Sequence, residues 1–334
     1  MEAVYLKYFD LKADPFNLTP DPQYMYLSQS HREALARIQF GIEHKKGFIV
    51  LTGEVGSGKT TVIRTYLQNS PPNQKIALIV NTKVTSKNLL QNICRDFGIK
   101  ADYDRLTKDG LLNLLYDFIL QNSFYGINLV VIIDEAHDLG VAQLEEVRLL
   151  TNLETNTQKL LQVVLVGQPE LWDLLNMPQL RALKQRIFIQ YELRPLSFAE
   201  TQHYIIHRLK QAGSSKENLF TPQAIQKIYH VTQGTPRLIN VICSNALALA
   251  FSRNKKKIDA DIIEEVVRDV VPTPVERPQP QVSEKQPDLV QNELPIPGIP
   301  RKKWKIGVFL FIFILLLIGI NVFSFYIIKL LGLF

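Results

Sequence analysis

Gly53-Glu54-Val55-Gly56-Ser57-Gly58-Lys59-Thr60 is the stretch on which the fold turns. It has the form G-x-x-x-x-G-K-[ST] of a phosphate-binding loop. Gly53, Gly56 and Gly58 let the backbone turn tightly and bring N–H groups onto phosphate oxygens. Lys59 is spaced to reach the β- and γ-phosphates, and the Thr60 hydroxyl to ligate Mg²⁺. Glu54, Val55, Ser57 and Thr61 complete the nucleotide-binding set. The expected ligand is a nucleoside triphosphate with Mg²⁺. Before the loop, Gly47–Thr52 is apolar and predicts a strand. After it, Thr60–Gln68 predicts a helix whose N-terminus faces the phosphates. A glycine-rich turn with a chance Lys-Thr is the plain alternative, and the strand-loop-helix context argues against it.

A second motif supports the first. Asn128–Ile133 is nearly all apolar and runs into Asp134-Glu135-Ala136-His137. A continuous β-branched run is the mark of a central parallel strand buried on both faces. Carboxylates at the exit of such a strand need a cation. Here that is Mg²⁺, with Asp134 as its ligand and Glu135 as the general base that polarises water. Alternatively Asp134 or Asp138 caps a helix over Val141–Asn152. Asp-Glu-Ala-His also spells a helicase box, but the chain holds one nucleotide core and too little sequence for a second motor domain. His137 is read as a strand-to-helix turn residue, with signalling of nucleotide state as the other option.

The chain has 334 residues, 46 % of them apolar, and a formal net charge of +6. A substantial core is therefore possible, and the positive excess is mild. Cys94 and Cys243 lie far apart with no metal-ligand spacing, which suits a reducing compartment. Met1–Asp10 has no signal-peptide pattern. From Pro272 to Pro300 prolines recur among Gln, Glu, Ser and Lys, as in an extended linker. Ile306–Ile328 follows without a charge. At ~35 Å as a helix it is long enough to cross a bilayer. Arg301–Lys305, just before it, predicts that the N-terminal bulk stays in the cytoplasm of a bacterial cell, with the span in the inner membrane.

The remainder predicts an α/β fold followed by helices. Strand candidates are Gly47–Thr52, Lys75–Val80, Asn128–Ile133, Leu161–Val166 and Ile187–Leu193. Alternation with helical segments such as Arg32–Glu43 implies a parallel sheet covered on both faces. Helices are expected over Ser197–Gln211, Pro222–Val231, Pro236–Ser252 and Asp259–Val270, with Thr221-Pro222 and Thr235-Pro236 as starts. The expected organisation is an α/β nucleotide domain over 1–195, a helical lid over 196–271, a linker over 272–305, a transmembrane helix over 306–328 and a tail over 329–334.

An Asp-Glu pair after a buried strand, with a helical lid, suggests a P-loop ATPase of the AAA+ kind. Such a site calls for a polar residue sensing the γ-phosphate, and Gln168 stands at the end of the fourth strand. It also calls for an arginine from a neighbouring subunit. Arg181, Lys184 and Arg186 cluster before the fifth strand; Arg186 is the first choice and Arg181 the second. Arg237 opens a lid helix at a dipole-unfavourable position and is expected to fold onto the phosphates. Asn81, at the end of the second strand, is a candidate for holding Glu135 inactive, or a plain turn asparagine.

Several segments carry a closer resemblance. Tyr8-Phe9, Asp14–Pro22, His31–Leu35, Leu144–Arg148, Leu153–Thr155, Val166–Leu171 and Gly234–Asn240 resemble the general secretion pathway protein A family of ExeA-like AAA+ ATPases. The likeness covers roughly residues 1–270. It implies ATP rather than GTP, with the N-terminal Pro-Phe and Thr-Pro-Asp-Pro segment over the adenine side. It also implies a bitopic inner-membrane protein that works with a membrane partner in assembling an outer-membrane secretin. Members carry a peptidoglycan-binding domain beyond the membrane, whereas only Lys329–Phe334 follow the span here, so that domain is expected to be missing. Similar ATPases serve pilus and exopolysaccharide export, and relatives regulate transposition.

Three functions follow as expectations. The first is a membrane-anchored, homo-oligomeric ATPase that drives or regulates assembly of an envelope export system. The second is an ATP-dependent switch or scaffold with slow turnover. The third is a DNA-binding regulator, for which the run Lys255-Lys256-Lys257 is slender support, so nucleic acid is not the expected partner.

Overall fold

The computed structural model describes residues 5–18, 22–154, 158–214 and 218–270, all within one compact unit. The proline-rich linker and the expected span Ile306–Ile328 lie outside the described residues. Among those described, no helix is long and apolar enough to cross a membrane.

Five strands form one parallel sheet: β1 Phe48–Thr52, β2 Gln74–Ile79, β3 Asn128–Ile133, β4 Leu161–Gly167 and β5 Ile187–Glu192. Their order is β2-β3-β4-β1-β5. Every residue of β1, β3 and β4 is buried, whereas β2 and β5 are partly exposed at the edges. This is why the central strands read as unbroken apolar runs. Thr52 pairs with Gly167, and Ile133 with Leu165. The three central strands thus end together, and their exits open on one edge of the sheet.

The helices, in chain order, are α1 Tyr5–Tyr8, α2 Gln29–Glu43, α3 Lys59–Gln68, α4 Ser86–Asp96, α5 Lys108–Phe124, α6 Val141–Leu150, α7 Glu170–Leu175, α8 Arg181–Lys184, α9 Phe198–Gln211, α10 Pro222–Thr232, α11 Pro236–Ser252 and α12 Ala260–Val270. Alternate residues of a strand face opposite sides of a sheet. Phe48 and Val50 therefore pack in one core with Leu89, Ile93 and Leu115 of α4 and α5. Ile49 and Leu51 pack in another with Ile38 of α2 and Ile63 of α3.

A third core lies in the helical part. Ile205, Ile228, Ile242 and Ile263 from α9–α12 meet there, and Phe9, Leu11 and Phe16 join them. The ring of Phe16 stands edge-on to Phe220 at 5.9 Å. The sequence groups this N-terminal segment with the α/β part, but its apolar side chains are buried among the helices. Glu200 ties helical part to sheet, accepting N–H from Ser197 in the capping box of α9 and from Gln29 at the start of α2.

One predicted cap is corrected, and another holds in position only. Ala136–Asp138 form a single 3₁₀ turn, so α6 starts from Gly140 without a side-chain cap. Asp138 instead lies 3.7 Å from Lys83. Thr235 precedes Pro236 as expected but makes no capping bond. Arg237 N–H, on the first turn of this helix, points at Gly56 O at 3.4 Å.

Candidate active site

A cavity of about 430 Å³ lies at the exit edge of the sheet, between the P-loop, the N-terminal segment and helices α9 and α11. The backbone shapes its floor. Gly58, N-cap of α3, is left-handed with φ 102°, and a Cβ there would lie 2.3 Å from His31 Nε2. Gly56 has φ 78°, and a Cβ there would meet Arg237 Cβ at 2.5 Å. Both need glycine for conformation and for room.

Lys59 is buried, and its ammonium donates to Gly53 O at 2.7 Å and Glu54 O at 3.1 Å. Burial pushes it below the usual lysine range, while the carboxylates of Glu135 and Asp134 oppose the shift. Thr60 Oγ1 donates to Asp134 Oδ2 at 2.9 Å across 74 residues of sequence. Asp134 Oδ1 accepts Glu135 N–H at 3.0 Å. Glu135 stands in the left-handed region at φ 53°, an uncommon place for a side chain of its size. Its Oε2 is buried without a hydrogen-bond partner among the described residues, as is Ser57 Oγ.

Most of the predicted residues come together. Val55, Gly56, Gly58, Lys59, Thr60, Thr61, Glu135, Gln168 and Arg237 line the cavity. Gly53, Glu54, Ser57 and Asp134 sit behind that lining, joined to it through Lys59, Thr60 and the loop backbone. Two do not join. Asn81 is exposed, is not part of the lining and makes no hydrogen bond to Glu135 among the described residues; β2 ends at Ile79, which leaves Asn81 beyond the pairing with β3. It is His137 that stands beside Glu135, its Nδ1 3.4 Å from Oε2. Arg186 lies outside the cavity and donates to Asn152 Oδ1 at 2.6 Å and Thr151 Oγ1 at 3.4 Å. The Arg181 side chain is exposed and makes no hydrogen bond or ion pair among the described residues.

The opposite wall is built by residues that pattern reading missed. Arg208 of α9 is 7 % exposed yet meets no carboxylate among the described residues. It donates to Pro15 O, to Asn17 O at 3.3 Å and to Tyr204 Oη at 2.9 Å. Tyr204 Oη in turn donates to Asn240 Oδ1 at 2.8 Å. The Arg208 guanidinium also lies 5.1 Å from the centre of the Tyr24 ring. Asn17, Leu18, Tyr24, Met25 and Tyr26 line this side, so the N-terminal segment does reach the cavity. A polar pair at 204 and 208 within an apolar helix face was the available signal.

Residues 42–175 match the family described as AAA domain. Over 255 residues the chain is 46 % identical to general secretion pathway protein A of Aeromonas hydrophila, covering 76 % of this chain and 46 % of the relative. The chain thus spans just under half the length of that relative. Drosophila ORC bound to DNA superposes with a TM-score of 0.59 at 17 % identity, covering 81 % of this chain and 67 % of that one. Cdc6p from Pyrobaculum aerophilum gives 0.58 at 17 % identity, with 77 % and 70 % covered. At such identities the two structures speak to fold alone. Together with the P-loop and the carboxylate pair, these likenesses define the class: the chain is an AAA ATPase. Within that class the matched 255 residues resemble general secretion pathway protein A, a likeness consistent with an ExeA-like ATPase.

Proposed function

We propose that the chain binds ATP with Mg²⁺ in this cavity and hydrolyses it to drive or time assembly of an envelope export system. The observation that carries the hydrolytic part is the joining of two distant motifs. Thr60 meets Asp134 at 2.9 Å, with Lys59 on one side and Glu135 on the other. Thr60 Oγ1 and Asp134 Oδ2 are hard oxygen donors, few enough to leave room for water and phosphate oxygens, and so fit Mg²⁺. The bound ion would neutralise phosphate charge. Lys59 would leave the loop carbonyls for the β- and γ-phosphates. Glu135 would take the proton of the attacking water. Gln168 is assigned to sensing the γ-phosphate.

Arg237 is assigned to a lid movement, in which α9–α12 close over the phosphates. Its backbone already lies on Gly56, which supports that reading. Arg186 is the proposed finger to a neighbouring copy in a homo-oligomer. It would have to leave Asn152 to serve, whereas Arg181 is exposed at the start of the preceding helix α8 and is the comparison variant.

Localisation and partner form a separate part of the proposal. The apolar run Ile306–Ile328 behind Arg301–Lys305 supports a single-pass anchor in the bacterial inner membrane, with the ATPase in the cytoplasm. Likeness to a general secretion pathway protein supports an envelope partner, in a secretion, pilus or exopolysaccharide system. A second reading, a switch with slow turnover, draws on Arg186, whose hydrogen bonds to Asn152 and Thr151 hold the proposed finger within its own subunit.

Glu135→Gln tests the hydrolytic core. Turnover should fall by at least ~10²-fold while ATP still binds. Turnover that survives the change removes Glu135 from the role. For the finger, specific activity of the full chain should rise with its own concentration, and Arg186→Ala should abolish that rise. If Arg181→Ala abolishes it instead, the finger is reassigned.

A further inference from the structure

The turn Ala136–Asp138 packs against the end of β4. A Cβ at Gly167 would lie 3.3 Å from His137 N and 3.0 Å from Leu171 Cδ2, so a side chain there would crowd this approach. It sets His137 between two site residues carried by different strands. His137 Nε2 lies 2.8 Å from Gln168 Nε2. On the other side of the ring, Nδ1 faces Glu135 Oε2 at 3.4 Å. The backbone N–H of Gln168 points at the same Nδ1, also at 3.4 Å. Oε2 of Glu135 is buried and makes no hydrogen bond among the described residues. The Nδ1 contact is one that a small rotation of either group would close.

A neutral imidazole carries one N–H, so one ring nitrogen donates and the other accepts. With the proton on Nδ1, the ring offers a donor to Glu135, Nε2 accepts from the Gln168 amide N–H, and the long 3.4 Å contact from the Gln168 backbone N–H is given up. With the proton on Nε2, the ring donates to Gln168 Oε1 after a turn of the amide. Nδ1 then accepts the Gln168 backbone N–H, and Glu135 faces no donor. The two arrangements exclude each other. Which face of its amide Gln168 turns to the ring therefore decides whether a donor stands over the Glu135 carboxylate.

The geometry points to His137 as a positioning residue that couples Gln168 to Glu135. It restrains the Glu135 carboxylate while Gln168 offers its amide N–H₂ to the ring, and releases it when that N–H₂ turns into the cavity toward a γ-phosphate. One proton leaves Nδ1 for solvent and one arrives at Nε2, so the ring stays neutral and the exchange balances. A carboxylate freed of that donor is open to accept a hydrogen bond from water. This deepens the ATPase reading above and rests on it.

Ring-¹⁵N-histidine NMR of the full chain tests the coupling, because protonated and bare ring nitrogens have distinct shifts. Six histidines are present, and the His137 pair is the one lost in His137→Asn or, should that variant not fold, in His137→Gln. Without nucleotide, Nδ1 should carry the proton. With Mg²⁺ and the β,γ-imido analogue of ATP, the proton should move to Nε2, and in Gln168→Leu it should stay on Nδ1 with the analogue bound. An unchanged tautomer on binding overturns the coupling, as does a change that survives Gln168→Leu. In His137→Asn an amide N–H₂ stands near the place of Nδ1. That variant should keep its KM for ATP and lose at least about tenfold in kcat; an unchanged kcat counts against the proposal. If the full chain does not bind the analogue at all, the ATPase reading falls and takes this one with it. If it binds and Glu135→Gln stops turnover while His137 does not respond, only the coupling falls.

Discussion

The two walls of the cavity are held by different physics. On one side the backbone does the positioning. Glycines in left-handed conformation, a helix N-terminus and three buried strand ends place Lys59, Thr60, Asp134 and Glu135. On the other side a side-chain network does it. Arg208 holds the Pro15 and Asn17 carbonyls, and Tyr204 links it to Asn240. The first wall has its charges matched by one another and by the expected ligand. The second keeps a buried guanidinium on carbonyls, a hydroxyl and an aromatic face. Function should therefore fail first at the first wall, and folding at the second.

Lys59→Met probes the first wall most directly. Several charge-assisted bonds to phosphate would be lost, each worth about 1.5–3 kcal/mol. Nucleotide affinity should fall by about 10²-fold or more. Stability should hold, because the folded chain already burdens this ammonium with burial. Calorimetric titration beside a urea melt would read both. A large loss of stability with binding retained would reverse the comparison.

Arg208→Met should do the opposite. It leaves two carbonyls and the Tyr204 hydroxyl short of a donor, and about 3 kcal/mol of stability should go. Affinity should change less than in Lys59→Met, with the loss concentrated in ATP-over-GTP preference, since the residues it holds line the side away from the P-loop. A variant that melts like the original chain would show the network to be incidental. Tyr204→Phe removes only the link from Arg208 to Asn240 and should cost about 1 kcal/mol in the same melt.

The contrast also explains what the sequence disclosed. The first wall is written in contiguous motifs, because a tight loop and a buried strand impose local residue types. Gly53–Thr60 and Asn128–Glu135 therefore placed a phosphate loop and a carboxylate pair before any coordinates. The strands followed from the same rule, to within a residue or so at each end. The second wall joins Arg208 to Pro15 across 193 residues, and no local pattern encodes such a contact. Asn81 was hard to judge for a related reason. A polar residue after a strand is common, and only the coordinates show Asn81 exposed outside the cavity lining and His137 beside Glu135. The resemblance of Asp14–Pro22 to its family put the N-terminal segment near the cavity. It did not say that Phe9 and Phe16 would be anchored among the helices.

His31 joins the first wall to α2 and gives the smallest, most specific test. It is 3 % exposed, with Nδ1 2.6 Å from Ser28 Oγ and Nε2 against Gly58. Burial pushes its pKa below the ordinary value of 6.5; the Ser57 backbone and Glu200 pull it back up, and Arg32 adds to the lowering. The folded chain thus resists a proton that the unfolded chain accepts near 6.5. Stability should be insensitive to His31 above that pH and should fall as pH drops below it, until the depressed folded-state pKa is reached. The slope from one such group cannot exceed about 1.4 kcal/mol per pH unit. His207, also lowered by burial, contributes in the same direction. Urea melts between pH 6.5 and 5.5 should therefore show a slope that shrinks, without vanishing, in His31→Gln. An identical slope in that variant would mean that the buttress under Gly58 carries no proton-linked stability, and that the first wall is as indifferent to pH as its backbone alone would make it.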